Sequence, residues 1–403
     1  MELLFLALAG CSWFSSEPAT VPAPPPTQNS ANAARSYTGP TGTPDWVVDC
    51  NGGGDFTTIN AAIAAARPNQ WISVEPCVYH ERIDYRGKSL WISSTGGAAV
   101  TEIDADNNNT TVRATQGEGD NTALVGFTIS DGDPYGVAVE FAALRLQDVI
   151  LTNNHDNYTI RAEAADLEMV NVVIDATNSS SRQAIYMDKG SVTMTGSTIH
   201  CGNGGGLQLD HGSFHIDWSS VLCGNAGFGE TAFQNEHSVG RVRRSVIVGD
   251  QEHISEDDHP EDEIRFANTL VQGDILVNFG TFQFRNSVMV DGTVTLTDTA
   301  DDVDIDSSVF MDGPCAFDGN ILPVSQYTNY WNTPFHCTEP SVVGDDGNIS
   351  IPPAFDMVAG DFTLLWGSGL IDAGNPAGSR EDLDGSRNDI GLYGGRFTNA
   401  GGW

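Results

Sequence analysis

Asp188-Lys189-Gly190-Ser191 returns further along the chain as Asp210-His211-Gly212-Ser213, and over the same interval His200-Cys201-Gly202-Asn203 returns as Leu222-Cys223-Gly224-Asn225. Working outward, a pair of β-branched or apolar residues recurs nine times. The pairs are Thr128-Ile129, Ile150-Leu151, Val173-Ile174, Thr198-Ile199, Val221-Leu222, Val246-Ile247, Thr269-Leu270, Val288-Met289 and Val309-Phe310. Neighbouring pairs lie between 19 and 25 residues apart, a near-constant period of the kind that marks repeat architectures. Such a period, with short strand-like runs, Gly/Asn/Asp punctuation and no helical stripe, marks a β-solenoid. No single repeat can bury its apolar side, so the coils must stack around one shared core.

The spacing also places cysteines. Cys201 and Cys223 are one repeat apart, and Cys315 and Cys337 are separated by the same interval. One repeat along the chain is one rung in space, about 4.8 Å between stacked strands, and a disulfide needs Cα atoms roughly 4.4–6.8 Å apart. Both pairs should therefore bridge, with Cys50 and Cys77 left to pair across the first coil. Disulfides of this kind belong to an oxidising compartment.

Charge narrows the partners. The chain of 403 residues carries 54 acidic against 18 basic side chains, a formal net charge of −36. Nucleic-acid binding needs a basic footprint and is excluded, as is direct attraction to an anionic lipid surface. Such a charge suits solubility, cation binding and a salty exterior.

Leu3 to Ala9 form a short apolar segment, too short to span a bilayer. It leads into Leu8-Ala9-Gly10-Cys11, which resembles the bacterial lipobox, although Met1-Glu2 lacks the usual basic start. That resemblance implies a signal peptide over residues 1–10, lipid on Cys11, and an outer-membrane or surface-anchored lipoprotein of the bacterial envelope. A secretory peptide without lipidation is the alternative. Residues 11–44 read as a lipidated cysteine and a disordered Pro/Ser/Ala-rich tether, with Pro22, Pro24, Pro25 and Pro26 at its centre. The folded domain takes residues 45–403, opening with a strand at Trp46-Val47-Val48 and an Ala/Ile helix over Thr57 to Ala66. That helix is placed to cap the open end of the stack.

Asp55-Phe56-Thr57-Thr58-Ile59-Asn60-Ala61-Ala62-Ile63, with Val74-Glu75-Pro76-Cys77-Val78-Tyr79-His80-Glu81, resembles the opening of the pectin lyase-like superfamily. Ile371-Asp372-Ala373-Gly374-Asn375-Pro376 and Asp382-Leu383-Asp384-Gly385-Ser386-Arg387-Asn388-Asp389-Ile390-Gly391 are similar to the closing coil of secreted bacterial members. The resemblance implies an all-β, single-stranded, right-handed parallel β-helix of roughly eleven to twelve coils. It implies no one activity, because the superfamily holds lyases, hydrolases, esterases, epimerases and members without a known reaction. The pectinesterase pattern is not matched: Gln183-Ala184-Ile185 is similar to its Gln segment, but no Asp-Phe-Ile-Phe-Gly-like strand follows.

Three constellations could carry chemistry. The register of the repeat should stack Asp188, Lys189, Asp210 and His211 on one edge, with Glu236 on the next coil. Asp188 and Asp210 would hold a cation, and Lys189 or His211 would act as a base for uronate chemistry; plain turn chemistry is the competing reading. Asp382, Asp384 and Asp389 resemble the start of a calcium loop without its closing Glu, which makes Ca²⁺ the candidate cofactor; a tight terminal turn, with Arg387 paired to one of these carboxylates, is the competing reading. The acidic run from Asp250 to Glu263 matches no defined metal loop and reads as a solvated insertion. The functional expectation is a surface lipoprotein whose β-helix binds extracellular or envelope polysaccharide. The alternative is a polysaccharide-active enzyme, a uronate lyase or a relative of one.

Overall fold

In the computed structural model the described residues are 39–395, without 156–157, 178–182, 202–203, 224–230, 255–262, 279, 298–299 and 357–361. The signal segment, Cys11 and the tether up to residue 38 therefore lie outside them. The chain is an all-β parallel solenoid of about eleven turns, the architecture that the family resemblance implies. Twelve short strands, from Val78–His80 to Asn329–Trp331, form one ladder, and the remaining strands form a second sheet that bends round the other two faces.

The inward residues of the twelve-strand ladder are Tyr79, Ile103, Ile129, Leu151, Ile174, Ile199, Val221, Ile247, Val271, Met289, Phe310 and Tyr330, all buried in one core. Each contributes roughly 1.5–3 kcal/mol by leaving water. The sequence pairs match this register at seven positions and slip by one residue at two. Thr198 pairs with Ser220, not Val221, and Val246 pairs with Leu270, not Thr269. In a strand a slip of one residue exchanges the two faces. Val221-Leu222 and Thr269-Leu270 hide the true position because both members are apolar or β-branched.

The long strands Tyr158–Val170, Gln183–Thr195 and Leu207–Asp217 are each bent at a left-handed residue: Ala164 (φ 47°), Lys189 (φ 61°) and His211 (φ 51°). Gly190 follows Lys189 with φ 114°, and a Cβ there would sit 1.9 Å from the Ala165 carbonyl oxygen. A second series of left-handed residues turns each coil into the ladder: Asp148, Asn171, Gly196, Trp218, Arg244, Asn268, Asn286, Ser307 and Tyr327, with φ between 45° and 61°.

Just inside that second turn runs a buried file of hydroxyls. The Ser197, Ser219 and Ser245 side chains accept from the backbone N–H of Val172, Ser197 and Ser219, one rung back, at 3.0, 3.1 and 3.2 Å. Each hydroxyl also donates to the carbonyl two residues before it, 3.1, 2.9 and 2.6 Å away. Thr269, Ser287 and Ser308 continue the file. Each of these hydroxyls thus satisfies a buried amide of the neighbouring rung.

All three disulfides form: Cys50–Cys77, Cys201–Cys223 and Cys315–Cys337, with Cα separations of 6.5, 4.8 and 5.2 Å. The helix spans Ile59–Ala65, shorter than the sequence suggests, and buries Ile59, Ala62 and Ile63 in the core beside Val48 and Ile72. Glu81 accepts from the Ile59 and Asn60 amides at its start, and the Lys88 ammonium donates to the carbonyls of Ile63, Ala64 and Ala66 at its end. Both ends are satisfied with the charge sign that the helix dipole favours.

The C-terminal motif does not add a rung. Phe355, Phe362, Leu370, Ile390 and Leu392 pack on Val246, Leu270, Val288 and Val309, which face outward from the twelve-strand ladder, in a second, smaller core. Asn268, Asn286 and Ser307 of the turn series bond the tail directly: Asn268 Nδ2 donates to Leu392 O at 2.7 Å, Asn286 Nδ2 to Asn388 Oδ1 at 2.9 Å, and Asn388 Nδ2 to Ser307 Oγ at 2.8 Å. The tail is a strap along the side of the helix. Its covering role explains why four late repeats are apolar on both faces.

Candidate functional site

The repeat register holds at the edge the sequence singles out. Asp188 faces Asp210 on the next rung, and Asp210 faces Glu236 on the one after. The row also extends the other way, through Glu163 to Glu140. Five carboxylates thus occupy one column over five rungs, about 4.8 Å apart by strand spacing. Like charges at facing positions destabilise a sheet unless countered.

The residue after each carboxylate stands at the bend: Phe141, Ala164, Lys189, His211 and His237, all left-handed with φ between 47° and 61°. Phe141 is 70% exposed, an uncommon combination for a bulky aromatic residue. Basic groups at the same edge answer part of the charge. Lys189 Nζ is 3.4 Å from Asp188 Oδ2, His211 Nδ1 is 2.5 Å from Asp210 Oδ1 and 3.9 Å from Asp188 Oδ1, and His237 Nδ1 is 3.9 Å from Asp210 Oδ1. The His211 and His237 rings stack with centroids 4.6 Å apart. Arg161 pairs with both Glu140 and Glu163. Beside the row, Tyr135, Tyr158 and Tyr186 stack at 6.3 and 4.8 Å. Burial first, then the charges of Asp188 and Asp210, raise the Tyr186 hydroxyl above its ordinary pKa.

All four residues expected at this edge, Asp188, Lys189, Asp210 and His211, are brought together. The sequence reading placed Glu236 and His237 in this region and missed Glu140, Glu163 and Phe141. The carboxylates follow one another at unequal intervals, and only the step from Asp188 to Asp210 carries an identical flanking motif. Chemically the edge offers two things. Asp210, His211 and His237 place one oxygen and two nitrogens within 4.8 Å of one another, a donor set for a borderline divalent ion rather than calcium, which prefers oxygen alone. The 2.5 Å approach of His211 Nδ1 to Asp210 Oδ1 also sets an imidazole, a group able to act as a base, beside a carboxylate.

Elsewhere, Asp382 accepts from the Gly395 amide at 2.5 Å and the Asp389 amide at 3.2 Å, and Asp389 accepts from the Asp372 amide at 2.7 Å. Burial, then Asp389 and Asp384, push Asp382 up to about 7. Asp384 instead caps Ser386 in an exposed turn. A group that the sequence did not suggest is His80, whose Nδ1 lies 3.3 and 3.2 Å from Asp104 and Asp106. Of the acidic run from Asp250 to Glu263, residues 255–262 lie outside the described residues.

No family model and no curated protein matches the chain. Among solved structures it is similar to the pectate lyase Pel9A, at 14% identity over 84% of this chain and 91% of that one, with a TM-score of 0.49. A pectin methylesterase from carrot is similar at 15% identity over 81% and 94% of the two chains, with a TM-score of 0.31.

Proposed function

We propose that the chain is an extracellular polysaccharide-binding β-helix that engages its ligand along the bent edge running from Glu140 to His237. The observation that carries this reading is the left-handed file beside a continuous carboxylate row: Phe141, Lys189 and His211 are exposed at the bend, and His237 is half-buried behind His211. Turn chemistry alone calls for Gly, Asn or Asp at such positions. Five of the nine residues named in the second turn series obey that rule, and none of the five in this one does. Strain kept at exposed aromatic and basic residues points to a use for the side chains.

A cation belongs to this reading whenever the ligand is acidic, because the row and a net charge of −36 would repel it. The three disulfides fit an oxidising exterior, and among the described residues no helix is long and apolar enough to cross a membrane. Attachment would come through lipid on Cys11, with the proline-rich segment as leash. A second reading, catalysis on a uronate with His211 or Lys189 as the base, rests on the Asp210–His211 pair.

The test is a panel of acidic and neutral polysaccharides, scored for binding and for unsaturated product, with Ca²⁺ or Zn²⁺ titrated. Asp210→Asn and Lys189→Ala should each weaken retention on the best ligand about tenfold. Retention unchanged in both variants would place the functional surface elsewhere.

A further inference from the structure

Five of the 18 basic residues of this acidic chain fall between Arg241 and Arg285, and four of them collect on the face that follows the carboxylate edge. His215, Arg241 and Arg265 occupy one column on three successive rungs, and Arg243 lies two residues along from Arg241. Guanidinium groups stacked at rung spacing repel, as the carboxylates do. Their counter-charges are few. Asp217, almost fully buried, pairs with Arg244 and lies 3.6 Å from Arg243, and Glu263 pairs with Arg265. Among the described residues no carboxylate makes an ion pair with Arg241. Among the described residues, Arg241, Arg243 and Arg244 thus face one carboxylate, Asp217.

The hydrogen-bond inventory shows the same surplus. An Arg241 Nη lies 3.4 Å from His215 Nδ1, and an Arg243 Nη lies 2.8 Å from His215 Nε2. A neutral imidazole accepts at one nitrogen only, so one of these approaches sets N–H against N–H. Protonation would remove the acceptor altogether. Burial, then Arg241, Arg243 and Arg244, hold His215 down to about 4, so the ring stays neutral. Arg243 Nε is buried and has no acceptor among the described residues. A buried donor without an acceptor is costly.

We propose that Arg241, Arg243 and Arg265, with His215, form a binding site for one oxyanion group, a carboxylate or a sulfate ester carried on a saccharide. A planar or tetrahedral oxyanion supplies several acceptors at once, and the guanidinium fork matches that geometry. The site also resolves how so acidic a protein holds an acidic sugar: the anion is taken on this face, away from the carboxylate row. The saccharide source rests on the function proposed above; the oxyanion site does not.

The experiment measures binding of inorganic sulfate, galacturonate oligomers, a sulfated oligosaccharide and neutral dextran to the full chain, by calorimetry at matched ionic strength. Wild type should bind sulfate and whichever saccharide carries the right anion, and ignore dextran at this site. Arg241→Gln and Arg265→Gln should each weaken sulfate about tenfold or more, Arg241→Lys less, and Arg82→Gln, the same charge change far from the site, not at all. Folding of each variant is checked by its melting temperature. Sulfate binding that is absent in wild type, or unaffected by Arg241→Gln and Arg265→Gln, overturns the site. If sulfate binds at these arginines and no saccharide does, the site stands and the polysaccharide reading fails. If a saccharide is retained without them, the reverse holds.

Discussion

Ser245 shows how one hydroxyl can hold two rungs together. It donates to its own strand at Arg243 O and accepts the Ser219 amide of the neighbouring coil, entirely out of water. Replacing it with Ala leaves a buried N–H and a buried carbonyl each short of a partner, a loss of about 1–3 kcal/mol. Chemical denaturation should show that loss, together with faster hydrogen exchange at the Ser219 amide; a change within about 0.5 kcal/mol would mean water replaces the hydroxyl. At this scale the sequence is legible where chemistry is singular. Four cysteines at repeat spacing, with the two left over, give three disulfides, and Asp188 and Asp210 meet as their spacing requires. The arginine column is not legible, because His215, Arg241 and Arg265 recur at unequal intervals within unlike neighbours. Side chains that meet only through stacking leave no local pattern.

Between neighbouring elements, each coil is a compromise between a constant rung height and turns of changing length. The repeat reads clearly in the inward residues, since the core admits only apolar side chains there, and poorly wherever the outward neighbour is apolar too. Val288 is such a neighbour, buried under Phe355, Leu370 and Ile390 while Met289 fills the main core. The strap is therefore present in the sequence as doubled hydrophobicity from Val246 to Val309, a signal that a repeat search takes for coil alone. Val288→Asp places a carboxylate beneath the strap without touching the main core. The expected outcome is a body that stays folded while the chain beyond residue 349 becomes open to protease, with Val239→Asp on an uncovered strand causing no such change. A Val288→Asp strap that resists cleavage, or a variant that unfolds as one unit, contradicts this division of the core.

Taken whole, the molecule is a rod with one basic face in an overwhelmingly acidic surface, and its N-terminal segment is expected to fix where that rod stands. Removing the acylation site by Cys11→Ala should move the protein from the membrane pellet to the soluble fraction of the producing cell; a variant that stays membrane-bound rules out the lipid anchor. The coil architecture is available from the sequence through repeat and motif, whereas the ligand edge needs the stacking of five unequal repeats to become visible. The most direct test of that edge is amide hydrogen exchange on the full chain, with and without the polysaccharide retained best in the panel. Added protection should centre on 140–141, 163–164, 188–189, 210–211 and 236–237, with extension toward Arg241 and Arg265 if the ligand is anionic. Protection confined to the twelve-strand ladder or the C-terminal strap, with the bend unchanged, would contradict the proposed site.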